Sequence, residues 1–300
     1  MQQAKLYLCG TPIGNLDDVS QRLLATLKEV DLIACEDTRR SQKLLNYFSI
    51  KKKMLSYHEH NEKERSKELI EFLKAGKNIA LVSDAGMPGV SDPGEILVKK
   101  AVEAGIEVVP IPGPSAFLAA LVVSGLDISA FSFKAFIPRS RKKRQQFLEE
   151  LALAKDTTAF YESPYRLKDT LKDLSQFSSE LASRQAVVAR EITKMHEEKY
   201  YGTVAELEAE LKNQEIKGEI VVVVAGRSQV AEENEGWEDL SILEHLKLLI
   251  ESGMTKKQAI KKVASLRELP KSDVYKEAVV ISVDKDKFEY KKQLFEEAVH

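Results

Sequence analysis

Short apolar runs alternate with segments of helical period over the first 111 residues. Four runs have the β-branched, apolar composition of buried strands: KLYLC, DLIAC, IALV and EVVPI. One intervening segment, Asp18 to Val30, places its apolar residues on one helix face, with Asp17 or Asp18 available as N-cap. This alternation predicts β-α-β units and a parallel sheet in a first domain, residues 1–113.

A second set of β-rich runs follows between residues 131 and 226: FSFKAF, TTAFY, AVVAR, KYYG and EIVVVVAG. Helical stretches separate several of them, which predicts a second α/β domain over residues 114–228. Pro110, Pro112, Gly113 and Pro114 interrupt regular structure just before an apolar helix of about ten residues. We therefore place the domain boundary there.

The last part of the chain changes character. The polar, acidic segment 227–239 is typical of a linker, and residues 240–300 predict a small helical region. Gly253 can end the first helix, Thr255 and Gln258 form a capping box for the second, and Pro270 precedes the third. Three short helices with sharp turns resemble a helix-turn-helix unit, but a helical cap that packs on the main body fits equally well.

Composition places the 300-residue chain among ordinary globular proteins, since 43% of residues are hydrophobic and 31% charged. The net charge is only -2, so nucleic-acid contact requires a local basic patch. One segment, KAFIPRSRKKR, carries six positive charges and no acid: Lys134, Arg139, Arg141, Lys142, Lys143 and Arg144. These residues could contact several RNA phosphates, or form a solvated loop.

Cys9 and Cys35 lie in apolar strand-like runs without partners at metal-ligand spacing, so we expect two buried free thiols. The N-terminus lacks a basic region followed by a long apolar stretch, and no window reaches the roughly 18 apolar residues of a membrane helix. A cytoplasmic protein without membrane contact is expected.

Four loops follow predicted strands: GTPIGNLDD, SDAGMPGVSDPG and PGPSA, which are rich in Gly or Pro, and the charged loop EDTRR. In a parallel sheet such loops converge at the carboxyl ends of the strands, where ligands bind. Glycines expose the backbone and prolines stiffen it, so the loops predict a preformed pocket. The dinucleotide and triphosphate fingerprints are absent, as is a nucleophile elbow.

These loops, together with HEHNE, FYESPYRL and AREITK, closely resemble the bacterial 16S rRNA (cytidine-2′-O)-methyltransferase family. That family belongs to the tetrapyrrole-methylase-like class of S-adenosylmethionine enzymes. The resemblance extends from about residue 5 to 226 and into the helical tail, and it implies two α/β domains with the cofactor in the cleft between them. Met87, Ala135 and Tyr165 depart from the Thr, Gly and His of the family pattern.

The resemblance implies a set of residues that line the S-adenosylmethionine site: Pro12, Asp84, Gly86, Met87, Ser115, Ala116, Tyr161 and Gly218. Two of them have a structural alternative, because Asp84 could close a turn and Ser115 could cap a helix.

The implied reaction is methylation of a cytidine 2′-oxygen in the decoding region of 16S rRNA. Asp37, Glu162 and Arg190 are the candidate catalytic residues. Further candidates for a base, or for a group that polarises the hydroxyl, are Glu36, His58, His60 and Glu191. Each could equally hold an ion pair. We expect no metal, because His58 and His60 lack third and fourth ligands and displacement at a sulfonium needs no Lewis acid.

The expected partners are the small ribosomal subunit and a second copy of the chain, since the family usually forms homodimers. A single-stranded or splayed cytidine would enter the cleft, because side chains reach a nucleotide poorly inside a duplex. Two alternatives stay open: the same class of enzyme with a tetrapyrrole or protein acceptor, and an RNA-binding module without catalysis.

Overall fold

The computed structural model of the chain describes residues 4–227, 240–251, 254–267, 269–279 and 281. Contacts divide it into two compact units, Met1–Arg227 and Ser228–His300, which are described separately. The predicted linker at 228–239 and the helix stop at Gly253 lie outside the described residues.

The first sheet is entirely parallel, with strand order β3-β2-β4-β1-β5. Its strands are β1 (Lys5–Cys9), β2 (Leu32–Cys35), β3 (Met54–Ser56), β4 (Ile79–Val82) and β5 (Glu107–Ile111). The parallel sheet is as predicted, but the pattern missed β3, whose three residues are too few to show a period. The Gly- and Pro-rich loops follow β1, β4 and β5, and the charged loop EDTRR follows β2.

Four helices cover both faces of this sheet: α1 (Gln21–Glu29), α2 (Thr38–Tyr47), α3 (Glu62–Lys74) and α4 (Glu95–Glu103). Side chains of α3 and α4 pack with Leu6, Leu81 and their neighbours on one face, and those of α1 and α2 pack with Ile33, Val82 and theirs on the other. Both faces are therefore buried, which explains the continuous apolar runs of the strands.

The start of α1 differs from the prediction. A single 3-10 turn, Leu16–Asp18, precedes the helix, and the N-cap is Ser20, whose side chain accepts a hydrogen bond from Leu23 N. The acidic residues lie in the 3-10 turn instead, where Asn15 caps them.

The second sheet is mixed, with order β6-β7-β10-β8-β9. Its strands are β6 (Phe131–Phe136), β7 (Thr157–Glu162), β8 (Gln185–Arg190), β9 (Glu198–Thr203) and β10 (Ile220–Val224). Only β6 and β7 pair in parallel; the other pairs are antiparallel. All five strands fall on the predicted runs to within a residue or two.

One face of the second sheet carries four helices: α6 (Arg141–Leu153), α7 (Leu167–Phe177), α8 (Ser179–Ser183) and α9 (Val204–Leu211). On the other face lies α5 (Ala116–Val123), whose Ala120 and Leu121 are buried against Val221, Val223 and Ala159. Ile13, from the loop after β1, joins this core. The second sheet thus packs directly against loops of the first half.

The described part of the C-terminal unit has three helices, α10 (Ile242–Glu251), α11 (Lys256–Leu266) and α12 (Lys271–Ala278). Thr255 and Gln258 form the predicted capping box of α11. A small core holds the helices together: Leu246, Ala259, Val263, Ala264, Val274 and Ala278. The α/β class and the C-terminal helices are confirmed.

Cys9 and Cys35 are buried free thiols, as predicted. Burial raises the pKa of Cys9 to about 12 and also raises that of Cys35, so both thiols are poor nucleophiles. A search of the described helices for one with the length and apolarity of a membrane span finds none.

Candidate active site

A cavity of about 310 Å³ lies between the strand-end loops of the first sheet and the second sheet. The first half contributes the loop after β4 and the start of α5. The second half contributes the end of β7, the segment that enters β10, and residues near the end of β8. Its lining includes six of the eight residues that the resemblance assigned to the cofactor: Gly86, Met87, Ser115, Ala116, Tyr161 and Gly218.

Backbone pairing between two loops forms one wall of the cavity. Thr11 N donates to Gly86 O at 2.9 Å, and Gly86 N donates to Thr11 O at 3.0 Å. Gly86 has a φ of +79°, a conformation in which most side chains are strained. Gly86 therefore holds the loop after β4 against the loop after β1.

A second close approach sets the position of α5. An added Cβ at Gly113 would lie 2.6 Å from the carbonyl carbon and oxygen of Gly10, so neither residue has room for a side chain. Ser115 follows at the N-cap of α5 and makes no side-chain capping bond. Its hydroxyl faces the cavity region without the capping role that sequence reasoning left open.

Aromatic side chains connect the two halves beside the cavity. Phe117 of α5 stacks on Phe133 of β6 with ring centroids 4.1 Å apart, and Phe133 meets Tyr161 edge-on at 5.1 Å. Burial, and then the nearby Asp92 carboxylate, raise the pKa of Tyr161 to about 12. Tyr161 is therefore a neutral hydrogen-bonding group at working pH.

Asp92 lines the cavity, and sequence reasoning did not single it out. Burial, and then the carboxylate of Glu36, raise its pKa to about 6, while Ser83 opposes the shift. Ser91 precedes it with a φ of +63°, unusual for a residue with a side chain. The signal was present in the sequence, because Asp92 follows the tight turns of SDAGMPGVSDPG, but nothing there showed that the loop folds back over the cavity.

Two of the expected cofactor residues lie elsewhere. Pro12 and Asp84 line a separate groove with Arg40. One carboxylate oxygen of Asp84 accepts from Asp37 N at 3.1 Å, and the other lies 3.2 Å from the Arg40 guanidinium. Asp84 thus links the loops after β2 and β4. This is a structural role, like the turn-closing alternative considered for it, although the bonds connect two loops.

The three candidate catalytic residues are all engaged in ion pairs. Asp37 caps α2 and accepts from Arg39, whose guanidinium holds the pKa of that carboxyl well below its usual range. Arg190 donates to Glu198 at 2.9 Å and to Lys217 O at 3.1 Å. Neither lines the cavity, so the structure does not bring these two candidates to it.

Glu162 does line the cavity, but its carboxylate is buried in a polar network. It accepts from Thr170 Oγ1 at 2.6 Å and from Ser163 N at 2.7 Å, and lies 3.6 Å from Arg166. A carboxylate with these partners orders the β7–α7 connection, which is a structural role.

Of the remaining candidates, Glu36, His58 and His60 lie after β2 and β3, whereas Glu191 follows β8 in the second sheet. Burial and the carboxylate of Asp84 raise the pKa of Glu36, and the His58 imidazole acts in the opposite direction. His58 Nε2 lies 3.1 Å from Asn61 Nδ2, while Glu191 accepts from Lys194 at 2.8 Å. No group of His, Cys, Asp and Glu within the described ranges has the arrangement of a metal site.

The basic segment divides into engaged and exposed residues. Arg144 is half-buried, donating to Asp173 at 2.6 Å and to Thr170 at 3.0 Å, and Lys134 pairs with Glu150 at 3.2 Å. Asp173 and Glu150, which lie outside the basic segment, therefore neutralise two of its six positive charges. The others are exposed before α6 or in its first turn: Arg139, Arg141, Lys142 and Lys143.

The cavity lining is apolar and anionic. Asp92, Glu162 and Glu219 contribute carboxylates, and the described lining contains no Lys, Arg or His. Glu162 and Glu219 are paired with Arg166 and Lys194 outside the lining, so among the described residues Asp92 is the carboxylate of the three without such a partner. Apolar side chains such as Ile13, Met87 and Val221 make up most of the rest. Such a site favours a ligand with a flat or apolar body and a positive charge over an anionic one.

The chain is similar to one protein family over most of its length. A family profile described as tetrapyrrole (corrin/porphyrin) methylases matches residues 5–208. Three curated relatives each carry the name ribosomal RNA small subunit methyltransferase I. The Halalkalibacterium halodurans protein is 49% identical over 90% of this chain and 93% of its own length. The Bacillus subtilis protein is 45% identical over 90% of this chain and 92% of its own length. The Synechocystis protein is 43% identical over 93% of this chain and 99% of its own length.

Solved structures with low sequence identity share the fold. Diphthine synthase superposes with a TM-score of 0.58 at 18% identity, covering 74% of this chain and 90% of that one. A cobalt precorrin-4 methyltransferase gives 0.55 at 20% identity, covering 74% and 94%. These likenesses concern the architecture alone.

Proposed function

The chain belongs to the tetrapyrrole methylase family, in the group of relatives named ribosomal RNA small subunit methyltransferase I, and from this premise we propose its reaction. It uses S-adenosylmethionine to methylate the 2′-oxygen of a cytidine ribose in the decoding region of 16S rRNA. The observation that carries the proposal is the anionic, apolar cavity, together with the exposed basic residues at α6.

The cavity residues fit S-adenosylmethionine. Its sulfonium and ammonium groups are positive, and the carboxylate of Asp92 provides a compensating charge in a site without basic side chains. Gly86 and Gly218 bring backbone without side-chain bulk to the cavity wall, while Met87 and Ala116 supply apolar contact. Ser115 and Tyr161 offer hydroxyl groups.

When bound, the cofactor supplies a methyl group, which forms a bond to the ribose oxygen as its bond to sulfur breaks and the hydroxyl proton leaves. The chain's part is to orient the hydroxyl opposite the departing sulfur, since positioning can contribute about 7–11 kcal/mol. In this proposal the three candidate catalytic residues keep neighbouring segments in position by their hydrogen bonds and ion pairs: Asp37, Glu162 and Arg190. A base adds about 10²- to 10⁴-fold, and Asp37, whose pKa is held low by Arg39, is poorly suited to that task.

RNA binding rests on the exposed basic residues of the α6 region. Arg139, Arg141, Lys142 and Lys143 are exposed, and none has an ion-pair partner among the described residues. Phosphates attract such groups strongly at low salt. A single-stranded cytidine is the substrate form that could present its ribose at the mouth of the cofactor cavity.

The proposal also places the protein in the bacterial cytoplasm, where it meets the small ribosomal subunit, and as a homodimer. Helix α5 supports the dimer because Leu118, Val122 and Val123 expose an apolar face.

The test is methyl transfer in vitro, with purified protein, labelled S-adenosylmethionine and 16S rRNA or small subunits. Ribose methylation is then mapped by mass spectrometry of RNA fragments. We expect one labelled cytidine, methylated on the 2′-oxygen and located in the decoding region. Label on a base atom or at another nucleotide would contradict the finer assignment, and label only on a tetrapyrrole or protein acceptor would contradict rRNA as the substrate.

A further inference from the structure

Helices α11 and α12, with the turn between them, carry more positive than negative charge, although the whole C-terminal unit, residues 228–300, has 12 Lys or Arg and 15 Asp or Glu. Residues 254–281 contain seven Lys or Arg and three Asp or Glu, whereas the whole chain has a net charge of -2. Helix α11 alone has four lysines and no acid. This local excess is unrelated to the cavity and belongs to a separate compact unit.

Some of these basic residues stabilise the unit itself. Lys256 Nζ donates to Ile281 O at 2.8 Å, and Arg267 donates to His245 Nδ1 at 3.3 Å and to Leu240 O. Lys276 pairs with Asp273 at 2.9 Å. Their positions are explained by the fold.

Three other lysines have no such role. Lys257 and Lys261 are exposed on α11, four residues apart and therefore on one helix face. Lys271 is exposed at the start of α12. Within the described residues, none of the three has an acidic partner.

Helix α12 adds an exposed aromatic ring on the same face as Lys271. Tyr275 follows Lys271 by four residues and is 60% exposed, although its neighbour Val274 is fully buried. A large aromatic residue beside a lysine provides a surface on which a base can stack while the ammonium contacts a phosphate.

The connection between α11 and α12 matches a nucleic-acid-binding arrangement. Four residues, 267–270, separate the two helices, and Pro270 is the N-cap of α12. Turns of three to four residues join the helices of helix-turn-helix units, in which both helices lie against the nucleic acid.

We propose that Lys257, Lys261, Lys271 and Tyr275 form a second RNA-binding surface, here called the helical basic surface. The inference rests on the proposed function, because the RNA is the 16S rRNA that carries the target cytidine. The surface binds phosphates and an unpaired base outside the target nucleotide, and adds affinity for the long substrate.

The experiment uses the full chain with Lys257, Lys261 and Lys271 all changed to Ala. A matched control changes three exposed helical lysines of the first unit, Lys28, Lys67 and Lys172. Binding to a 16S rRNA fragment is measured by filter retention over a series of KCl concentrations. Each lost phosphate contact lowers the slope of log K against log salt by about 0.7–0.9, so we expect a decrease of about 2 and affinity at least tenfold weaker, with the control near wild type.

A second variant, Tyr275→Ala, separates stacking from charge. Stacking contributes about 1–3 kcal/mol per base, so we expect roughly 5- to 150-fold weaker binding with an unchanged salt slope. Calorimetry with S-adenosylmethionine and far-UV circular dichroism should match wild type for every variant.

Several results would overturn the inference: wild-type RNA affinity and salt slope in the triple variant, or an equal loss in the control. Loss of binding to a ribosomal protein, with RNA binding unchanged, would identify a protein surface instead. The proposed function fails separately, if the wild-type chain binds 16S rRNA but transfers no methyl group to it.

Discussion

The free energy of ionising the Asp92 carboxylate depends on the charge of the ligand in the cavity. Burial and the neighbouring Glu36 raise its pKa to about 6, with Asp84 adding to the effect. A cation in the cavity reverses this balance by favouring the ionised form. The residue therefore connects cofactor binding to pH.

We predict that Asp92→Asn weakens S-adenosylmethionine binding about tenfold at pH 7.5, because a charge-assisted contact contributes about 1.5–3 kcal/mol. In the wild type, affinity falls as the pH decreases through 6 and Asp92 becomes protonated, whereas the Asn variant is insensitive to that step. Calorimetry between pH 5 and 8 measures both effects. Glu103→Gln, an exposed change on α4, is the control. Equal affinities for the Asn variant and wild type would exclude Asp92 from the cofactor contact.

The same substitution should have the opposite effect on the stability of the empty protein. Because the folded-state pKa of Asp92 is raised, its contribution to stability is fully present below pH about 4 and is lost as pH rises through 6. The Asn variant has no such loss. We expect it to be more stable than wild type at pH 7.5 by about 1–2 kcal/mol, less than the roughly 3 kcal/mol of the full shift because water screens this partly exposed carboxylate, and equal near pH 4, measured by urea unfolding. A less stable Asn variant at pH 7.5 would contradict the pKa shift.

Gly113 shows how a residue without a side chain fixes the site. Gly113→Ala places a methyl group 2.6 Å from the Gly10 carbonyl, so the loops after β1 and β5 must separate. We expect a loss of about 1–3 kcal/mol in unfolding free energy, typical of overpacking, and weaker cofactor binding because Ser115 and Ala116 move. Gly76→Ala is the comparison: its φ is +84° with open space around it, so it should lose about 1 kcal/mol without loss of affinity.

At the scale of elements, α6 and α7 depend on a polar network rather than on apolar packing alone. Arg144 bonds to Asp173 and to Thr170, and Thr170 donates to the buried Glu162. This network gives a structural role to two residues that the sequence suggested for RNA binding and catalysis.

We predict that Arg144→Ala lowers the unfolding free energy by about 1–3 kcal/mol, since it removes a hydrogen-bonded partner of a buried network. Changing Arg141, Lys142 and Lys143 to Ala should leave the melting temperature within about 2 °C of wild type and weaken RNA binding at low salt. Thermal melts and filter binding distinguish the two groups. Equal RNA-binding losses with no stability difference would place Arg144 in the RNA contact.

The elements themselves were largely predictable. Continuous or alternating apolar runs identified nine of the ten described strands, because a buried strand requires such a run. The pattern did not reveal β3, and it placed the α1 cap at Asp17 or Asp18 instead of Ser20. Both errors concern segments of two or three residues, whose conformation depends on contacts that a periodic pattern does not show.

The site was less predictable than the fold, for a physical reason. Loop glycines and prolines indicated a pocket at the strand ends, and six of the eight residues that the family resemblance assigned to the cofactor line the cavity. Ion-pair partners depend instead on distant chain segments. Glu198 faces Arg190 only because β8 and β9 pair, and Asp92 reaches the cavity only because its loop folds back.

At the scale of the whole molecule, α5 presents a face that a single chain leaves uncovered. Its eight residues, AFLAALVV, are apolar all around, a composition typical of a helix covered on every side. The second sheet covers Ala120 and Leu121, yet Val122 is 68% exposed and Leu118 44%. A second copy of the chain is the partner that our proposed homodimer supplies.

We therefore predict that Val122→Glu converts the dimer to a monomer, since it places an unpaired charge in an apolar interface at a cost of several kcal/mol. The residue is exposed in the single chain, so folding should be unaffected. Val102→Glu, a change at a valine 64% exposed on α4, controls for the added charge and should stay dimeric. Sedimentation velocity over a range of concentrations measures the mass of each. A wild-type monomer would refute the homodimer, whereas a dimeric Val122→Glu variant would show that another face forms the interface.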